Sequence, residues 1–174
     1  QLSALAKKLA EEQGFPFADV HGAMMSAMEK SKPVLGETYD VGGKDGVHPG
    51  PNGQLVMAYA FLKAMGVDGR MGTITYDLKG KATSTDGHKL VGEETGKVEL
   101  ESPRYPFCFS GDDKSPTGTR SILPYVPFNA DLNRFTLVVK NLDGAKAKVT
   151  WGQASKSFSR EDLEKGVNLA AEFA

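Results

Sequence analysis

Three histidines occur in the chain, and His48 alone lies in a segment whose residues force an irregular, outward-facing backbone. Gly46, Pro49, Gly50, Pro51 and Gly53 surround it, and glycine and proline in that density suit neither a helix nor a strand ladder. Asp45 stands three residues earlier, in the run Asp45-Gly46-Val47-His48-Pro49. If the loop turns back on itself, the carboxylate accepts a hydrogen bond from one imidazole nitrogen and fixes the tautomer. The other nitrogen then keeps a lone pair that can take a proton from a hydroxyl. Those are the base and the orienting carboxylate of a Ser-His-Asp triad. The same spacing also suits an ordinary Asp-Gly turn beside a solvent-facing histidine, so the two residues alone do not decide between the readings.

The other chemically capable residues read more plainly. His21 closes a short apolar run and is a satisfied structural histidine near a strand end; His88 follows Asp86-Gly87 as a turn residue. No His-x-x-x-His or paired-carboxylate pattern accompanies them, so the sequence calls for no metal and no cofactor. Cys108, the single cysteine, excludes an internal disulfide and reads as a small buried hydrophobe between Phe107 and Phe109. Arg104, Tyr105, Phe107, Tyr125 and Trp151 could line a sugar-binding face, although aromatic residues on strands more often belong to a core. Asp112, Asp113 and Lys114 form a solvated loop. No Gly-x-Ser-x-Gly elbow that would present a nucleophilic serine occurs.

The elements that must position Asp45 and His48 follow from periodicity. Leu2, Leu5, Ala6 and Leu9 recur at helical spacing, and Gly14 sits where a helix ends. Residues 15–21 read as a short buried strand with its proline near the start. Met24, Met25 and Met28 give a second helix packed into the core, followed by a loop over residues 33–43. Beyond the Asp45 loop, Leu55, Val56, Tyr59, Leu62 and Met65 mark a long amphipathic helix stopped by Gly66. This is α/β grammar. Near residue 70 the period changes to two. Strands are expected at residues 73–78, 97–102, 107–110, 134–141 and 147–152, with Asp143-Gly144 as a hairpin turn between the last two. With no helices between them, these strands are expected to pair among themselves rather than to extend a parallel sheet. Residues 111–118 form a surface loop, and Ser159-Arg160-Glu161-Asp162 opens a short helix as a variant capping box.

Composition limits the partners. With 21 basic and 22 acidic residues, the chain has no overall field to hold a phosphate backbone or an anionic membrane surface, so nucleic acid is excluded as a partner. Its longest apolar stretch, residues 55–65, contains Lys63 and is far short of the roughly 20 residues a membrane span requires. The sequence opens without methionine directly in a helical pattern, and reads as part of a longer polypeptide.

The block Asp45-Gly46-Val47-His48-Pro49-Gly50-Pro51-Asn52-Gly53-Gln54, followed by an amphipathic helix, resembles the last conserved block of the SGNH (GDSL-type) hydrolases, Asp-x-x-His-Pro. The resemblance covers roughly residues 1–68. It implies that His48 is the general base and Asp45 its orienting carboxylate in ester hydrolysis. It also implies that residues 1–69 are the C-terminal part of a flavodoxin-like α/β/α domain with a parallel sheet. The family's nucleophile lies in a Gly-Asp-Ser block and its oxyanion-hole Gly and Asn in two further upstream blocks. None of these precedes Asp45 here, and Ser110-Gly111-Asp112-Asp113 has the order reversed. An upstream part of the same hydrolase is therefore the expected partner. Residues 70–174 resemble the β-rich extension of some bacterial SGNH-type esterases, through Phe135-Thr136-Leu137-Val138-Val139-Lys140 and Gly166-Val167-Asn168-Leu169-Ala170. That second resemblance implies a β-sandwich-like domain. Analogy with extracellular relatives suggests a small-molecule or carbohydrate ester as substrate, and a periplasmic or secreted location. The rival reading is a non-catalytic binding or interaction protein in which the β region does the work and the Asp/His loop is vestigial.

Overall fold

The computed structural model describes residues 2–173, whose contacts resolve into two compact units. The first comprises the chain to Asp68 together with Phe109–Phe128; the second comprises Gly69–Cys108 and the chain from Asn129 onward.

The first unit is helical. Helix α1 (Leu2–Gln13) follows the Leu2, Leu5, Leu9 stripe and ends at Gly14, whose positive φ of 71° no β-branched residue would tolerate. None of its residues is buried, and Leu2 and Leu5 are 83% and 64% exposed. Helix α2 (Val20–Leu35) starts because the Asp19 carboxylate accepts the Gly22 N–H at 2.9 Å. Here the structure departs from the strand expected at residues 15–21. Phe15 is exposed, no ladder forms, and His21 lies in the first turn of α2. A strand needs a neighbour to pair with, and among the described residues the first unit contains none. Helix α2 also runs past Pro33 to Leu35, into the segment expected as loop. The methionine stripe is only partly covered, with Met25 exposed. Helix α3 (Pro51–Ala64) places Pro51 in the first turn, where a missing N–H costs nothing, and buries Asn52, Gly53, Val56 and Ala60.

Residues 109–128, expected to run with the β region, pack on these helices instead. Ile122 and Phe128 are fully buried, Phe109 meets Phe128 edge-on at 5.7 Å, and Ser121 receives a hydrogen bond from the Tyr39 hydroxyl at 2.7 Å.

The second unit is built on one mixed sheet. Its strands β1 (Arg70–Asp77), β2 (Thr83–Ser84), β5 (Arg134–Lys140) and β8 (Val167–Asn168) lie in the order β2-β1-β5-β8. Two separate hairpins, β3–β4 (Lys89–Glu94 and Lys97–Glu101) and β6–β7 (Lys146–Trp151 and Ala154–Ser159), have two-residue loops. Strands β1 and β5 pair in parallel, from Gly72 opposite Phe135 to Asp77 opposite Lys140. The strands pair among themselves as expected, but β1 and β5 do so in parallel, and the connection between them, expected to hold no helix, ends in the short helix α4 (Phe128–Leu132). Residues 78–133 make the crossover. Nor is Asp143-Gly144 a hairpin turn: β5 is flanked by β1 and β8, while β6 pairs with β7.

One mixed sheet with two hairpins stands where a β-sandwich was expected. Ile74, Phe135 and Leu169 form its core with Val98, Leu100 and Val149 from the hairpins packed against them. Val139, Leu163 and Val167 form a second cluster. Helix α5 (Arg160–Lys165) is capped as the sequence indicates, the Ser159 Oγ accepting the Asp162 N–H at 3.0 Å.

No strand forms at residues 107–110. The Asn133 side chain takes both polar groups of Phe107, accepting its N–H at 2.8 Å and donating to its carbonyl at 3.1 Å, so that residue has nothing left for a ladder. Cys108 is exposed there rather than buried.

Candidate active site

The Asp45–His48 loop is held at both ends by buried residues of the first unit. On the entering side Tyr39 and Val41 are buried, and the Tyr39 hydroxyl is tied to Ser121. On the leaving side the fully buried Asn52 donates from Nδ2 to the Asp40 carbonyl at 2.7 Å, binding the first turn of α3 to the entry of the loop. Two glycines make this closure possible. A Cβ added at Gly53 would overlap the Val41 carbonyl oxygen, and one added at Gly43 would overlap the His48 carbonyl oxygen. Gly43 also has φ of 83°, open to glycine at little cost.

Within this frame the loop turns back on itself. Asp45 Oδ1 accepts the backbone N–H groups of Val47 and His48, each at 3.0 Å, as an Asx turn. Asp45 Oδ2 lies 2.7 Å from His48 Nδ1. The His48 side chain hydrogen bond, followed by the two backbone N–H groups, lowers the Asp45 pKa from 3.8 to about 2. The carboxylate is therefore ionised at neutral pH and can only accept, which assigns a proton to Nδ1; in the neutral imidazole the lone pair is then on Nε2. The imidazole is 85% exposed, and among the described residues Nε2 has no hydrogen-bond partner. The two residues singled out by spacing are thus in contact, in the tautomer a general base requires.

The remaining candidates do not join them. His21 is exposed on α2. His88 is buried rather than exposed in a turn. Its Nε2 lies 2.7 Å from the Met71 carbonyl and its Nδ1 2.7 Å from Ser102 Oγ, with Phe135 stacked at 4.8 Å between ring centres. Both nitrogens are engaged, so it is a core histidine of the second unit. Only its sequence neighbours Asp86-Gly87 form the turn, both with positive φ. Asp112 is exposed and accepts the Lys114 and Ser115 N–H groups at 2.7 Å, which lowers its pKa; it organises a loop, and Ser110 gives its N–H to Thr119. Of the aromatic set, Tyr105 and Trp151 are exposed and, with Arg104, line one cleft of the second unit. Tyr125 belongs to the first unit, in the 3₁₀ turn Arg120–Tyr125.

No protein-family model matches the chain, and no curated protein matches it. Among solved structures, a gut microbial diltiazem-metabolizing enzyme superposes on 97% of the chain with a TM-score of 0.72 at 24% identity. The chain spans 40% of the length of that enzyme. At this identity the likeness concerns the fold: the mixed α/β architecture described above is shared with part of a larger enzyme.

Proposed function

We propose that the chain supplies the general base and its orienting carboxylate to a serine esterase of the SGNH type, with the nucleophilic serine and oxyanion donors on polypeptide outside these 174 residues. One observation carries the reading: the 2.7 Å contact from Asp45 Oδ2 to His48 Nδ1, which leaves Nε2 exposed and unengaged among the described residues.

The chemistry follows from that tautomer. Nε2 takes the proton of a serine hydroxyl as the oxygen attacks the ester carbonyl, and returns it to the departing alkoxide when the tetrahedral intermediate collapses. Asp45 stays ionised throughout and stabilises the imidazolium between those steps. Water then repeats the cycle on the acyl-enzyme. Two further features support a shared site. The apolar face of α1 is uncovered, as expected of a helix that packs on a sheet lying elsewhere in the protein. The chain also matches part of a longer enzyme, and an enzymatic role agrees with that likeness.

The test compares the 174-residue chain with the complete polypeptide on p-nitrophenyl acetate. The chain alone should show no turnover beyond that of free imidazole, because a base without nucleophile or oxyanion donors cannot run acyl transfer. The complete protein should turn over with a burst and lose activity to an organophosphonate that labels an upstream serine. Saturable turnover by the chain alone, or labelling of a serine within it, would overturn the division of labour proposed here.

A further inference from the structure

We propose that the cleft of the second unit is a strand-docking groove: an extended segment of the polypeptide outside these 174 residues lies between β4 and β6 and hydrogen-bonds to both. Strand β4 pairs only with β3 and β6 only with β7, so each leaves one edge without a ladder partner. Both strands border a cleft of about 720 Å³ over the mixed sheet. Seen from its face a strand offers alternate residues, and seen from its edge it offers consecutive ones. Residues 147–151 of β6 line the cleft without a gap. Alternation turns the exposed Lys148 and Thr150 side chains to the outer face, so at those positions the main chain meets the cleft.

The free donors and acceptors follow from the turns. Two-residue hairpin loops close on a hydrogen-bonded pair, here Glu94 with Lys97 and Trp151 with Ala154, and bonded and non-bonded pairs then alternate. Val98, opposite Glu93, and Thr150 and Lys148, opposite Ser155 and Ser157, therefore direct their N–H and C=O groups to the free edges. Among the described residues no strand or loop pairs with these edges. Size agrees. A strand residue fills roughly 160 Å³, from a rise of about 3.3 Å, a strand spacing of about 4.8 Å and a layer thickness of about 10 Å. The cleft thus holds about four or five strand residues, and β4 and β6 are five and six residues long. Burial agrees too. Val98, Leu100 and Val149 pack on the sheet yet stay half-buried, and Trp151, edge-on to Phe135 at 5.4 Å, is 40% exposed. A strand with apolar residues at alternate positions covers these side chains and satisfies both edges. An apolar small molecule, or a helix whose main chain is already paired, would do only the first. A protein of the matched enzyme's length, of which this chain spans 40%, has the polypeptide to supply the strand.

Amide hydrogen exchange followed by NMR tests this on the 174-residue chain and on the complete polypeptide. In the chain alone the Val98, Lys148 and Thr150 amides should exchange far faster than that of Val149, which faces β7. In the complete polypeptide all three should slow at least about tenfold and show nuclear Overhauser contacts to backbone protons of residues outside the chain. The docking strand and the upstream serine share only the need for that further polypeptide, and exchange is read without activity, so either can fail alone. Equal exchange in the two proteins overturns the proposal. Slowing without those backbone contacts overturns it as well, since a side chain or a bound molecule would then be the cover. Slowing that grows with the concentration of the 174-residue chain makes a second copy the occupant and overturns it too.

Discussion

The two units solve the same problem differently. The second packs much of its own apolar surface: β1 and β5 pair along their length, and Leu163 and Leu169 from short helices pack on the sheet residues Val139, Val167, Ile74 and Phe135. The first carries the reactive pair yet has no strand among its described residues, and its first helix contributes nothing to a core. The Asp45–His48 contact survives this because it is local. An Asx turn, two glycines in close approach and the Asn52 tie shape the loop without help from a sheet. Local hydrogen bonding can therefore hold the Asp45–His48 pair in contact without a sheet, whereas α1 buries none of its residues in the first unit.

The sharpest way to break this comparison is kinetic. In the complete protein His48→Ala should lower kcat by about 10⁴- to 10⁶-fold with the melting temperature unchanged, since the base acts only in the transition state. Asp45→Asn should cost less, about 10²- to 10⁴-fold, because serine and imidazole remain and only tautomer control and imidazolium stabilisation are lost. Retention of more than about a tenth of kcat/KM by His48→Ala, under roughly 1.4 kcal/mol, would make the loop a structural turn. The next effect is on stability. Leu163→Ala empties a fully buried position in the second unit and should cost about 2–5 kcal/mol in urea unfolding. Leu5→Ala on the exposed face of α1 should change the stability of the 174-residue chain by under about 0.5 kcal/mol. In the complete protein the same Leu5 substitution should cost several times more; an equal, small effect in both would show that α1 packs on nothing.

What the sequence discloses and what it conceals divide along the same line. Asp45 and His48 were legible as a candidate contact because an aspartate two and three residues before backbone N–H groups can close a self-contained turn. Ser159 was legible as a cap for the same reason, whereas Pro51 and Gly53, expected in the irregular loop, lie in the first turn of α3. Misreadings arose wherever the outcome depends on a distant partner. Residues 15–19 have the composition of a buried strand but no strand beside them, so the Asp19 cap decides the local structure. Phe107 looks like strand, yet Asn133, far along the chain, takes its backbone groups. Asp143-Gly144 suits a hairpin, but β8 already occupies the open edge of β5. His88 reads as a turn residue until Met71, Ser102 and Phe135 close around it. The cleft of the second unit is assembled from four strands and was visible only in part, as a scatter of aromatic residues.

The smallest expected effect tests whether the Asp45–His48 contact itself is real in solution. The Asp45 carboxyl should titrate near pH 2 rather than at its ordinary 3.8, followed by the ¹³C shift of its Cγ. The sign is that of a depressed carboxylate. Its contribution to holding the loop is complete above the unfolded pKa of about 3.9 and disappears as pH falls through about 2. Three hydrogen bonds act on the carboxylate, and the largest comes from the imidazole, the other two from the Val47 and His48 N–H groups. His48→Ala removes the first and leaves the backbone pair. The midpoint should therefore rise in that variant yet stay below 3.8. A wild-type midpoint at 3.8 would mean that the loop does not hold the pair together. A midpoint that stays near 2 after His48→Ala would assign the whole depression to the turn, and the imidazole would then have no orienting partner.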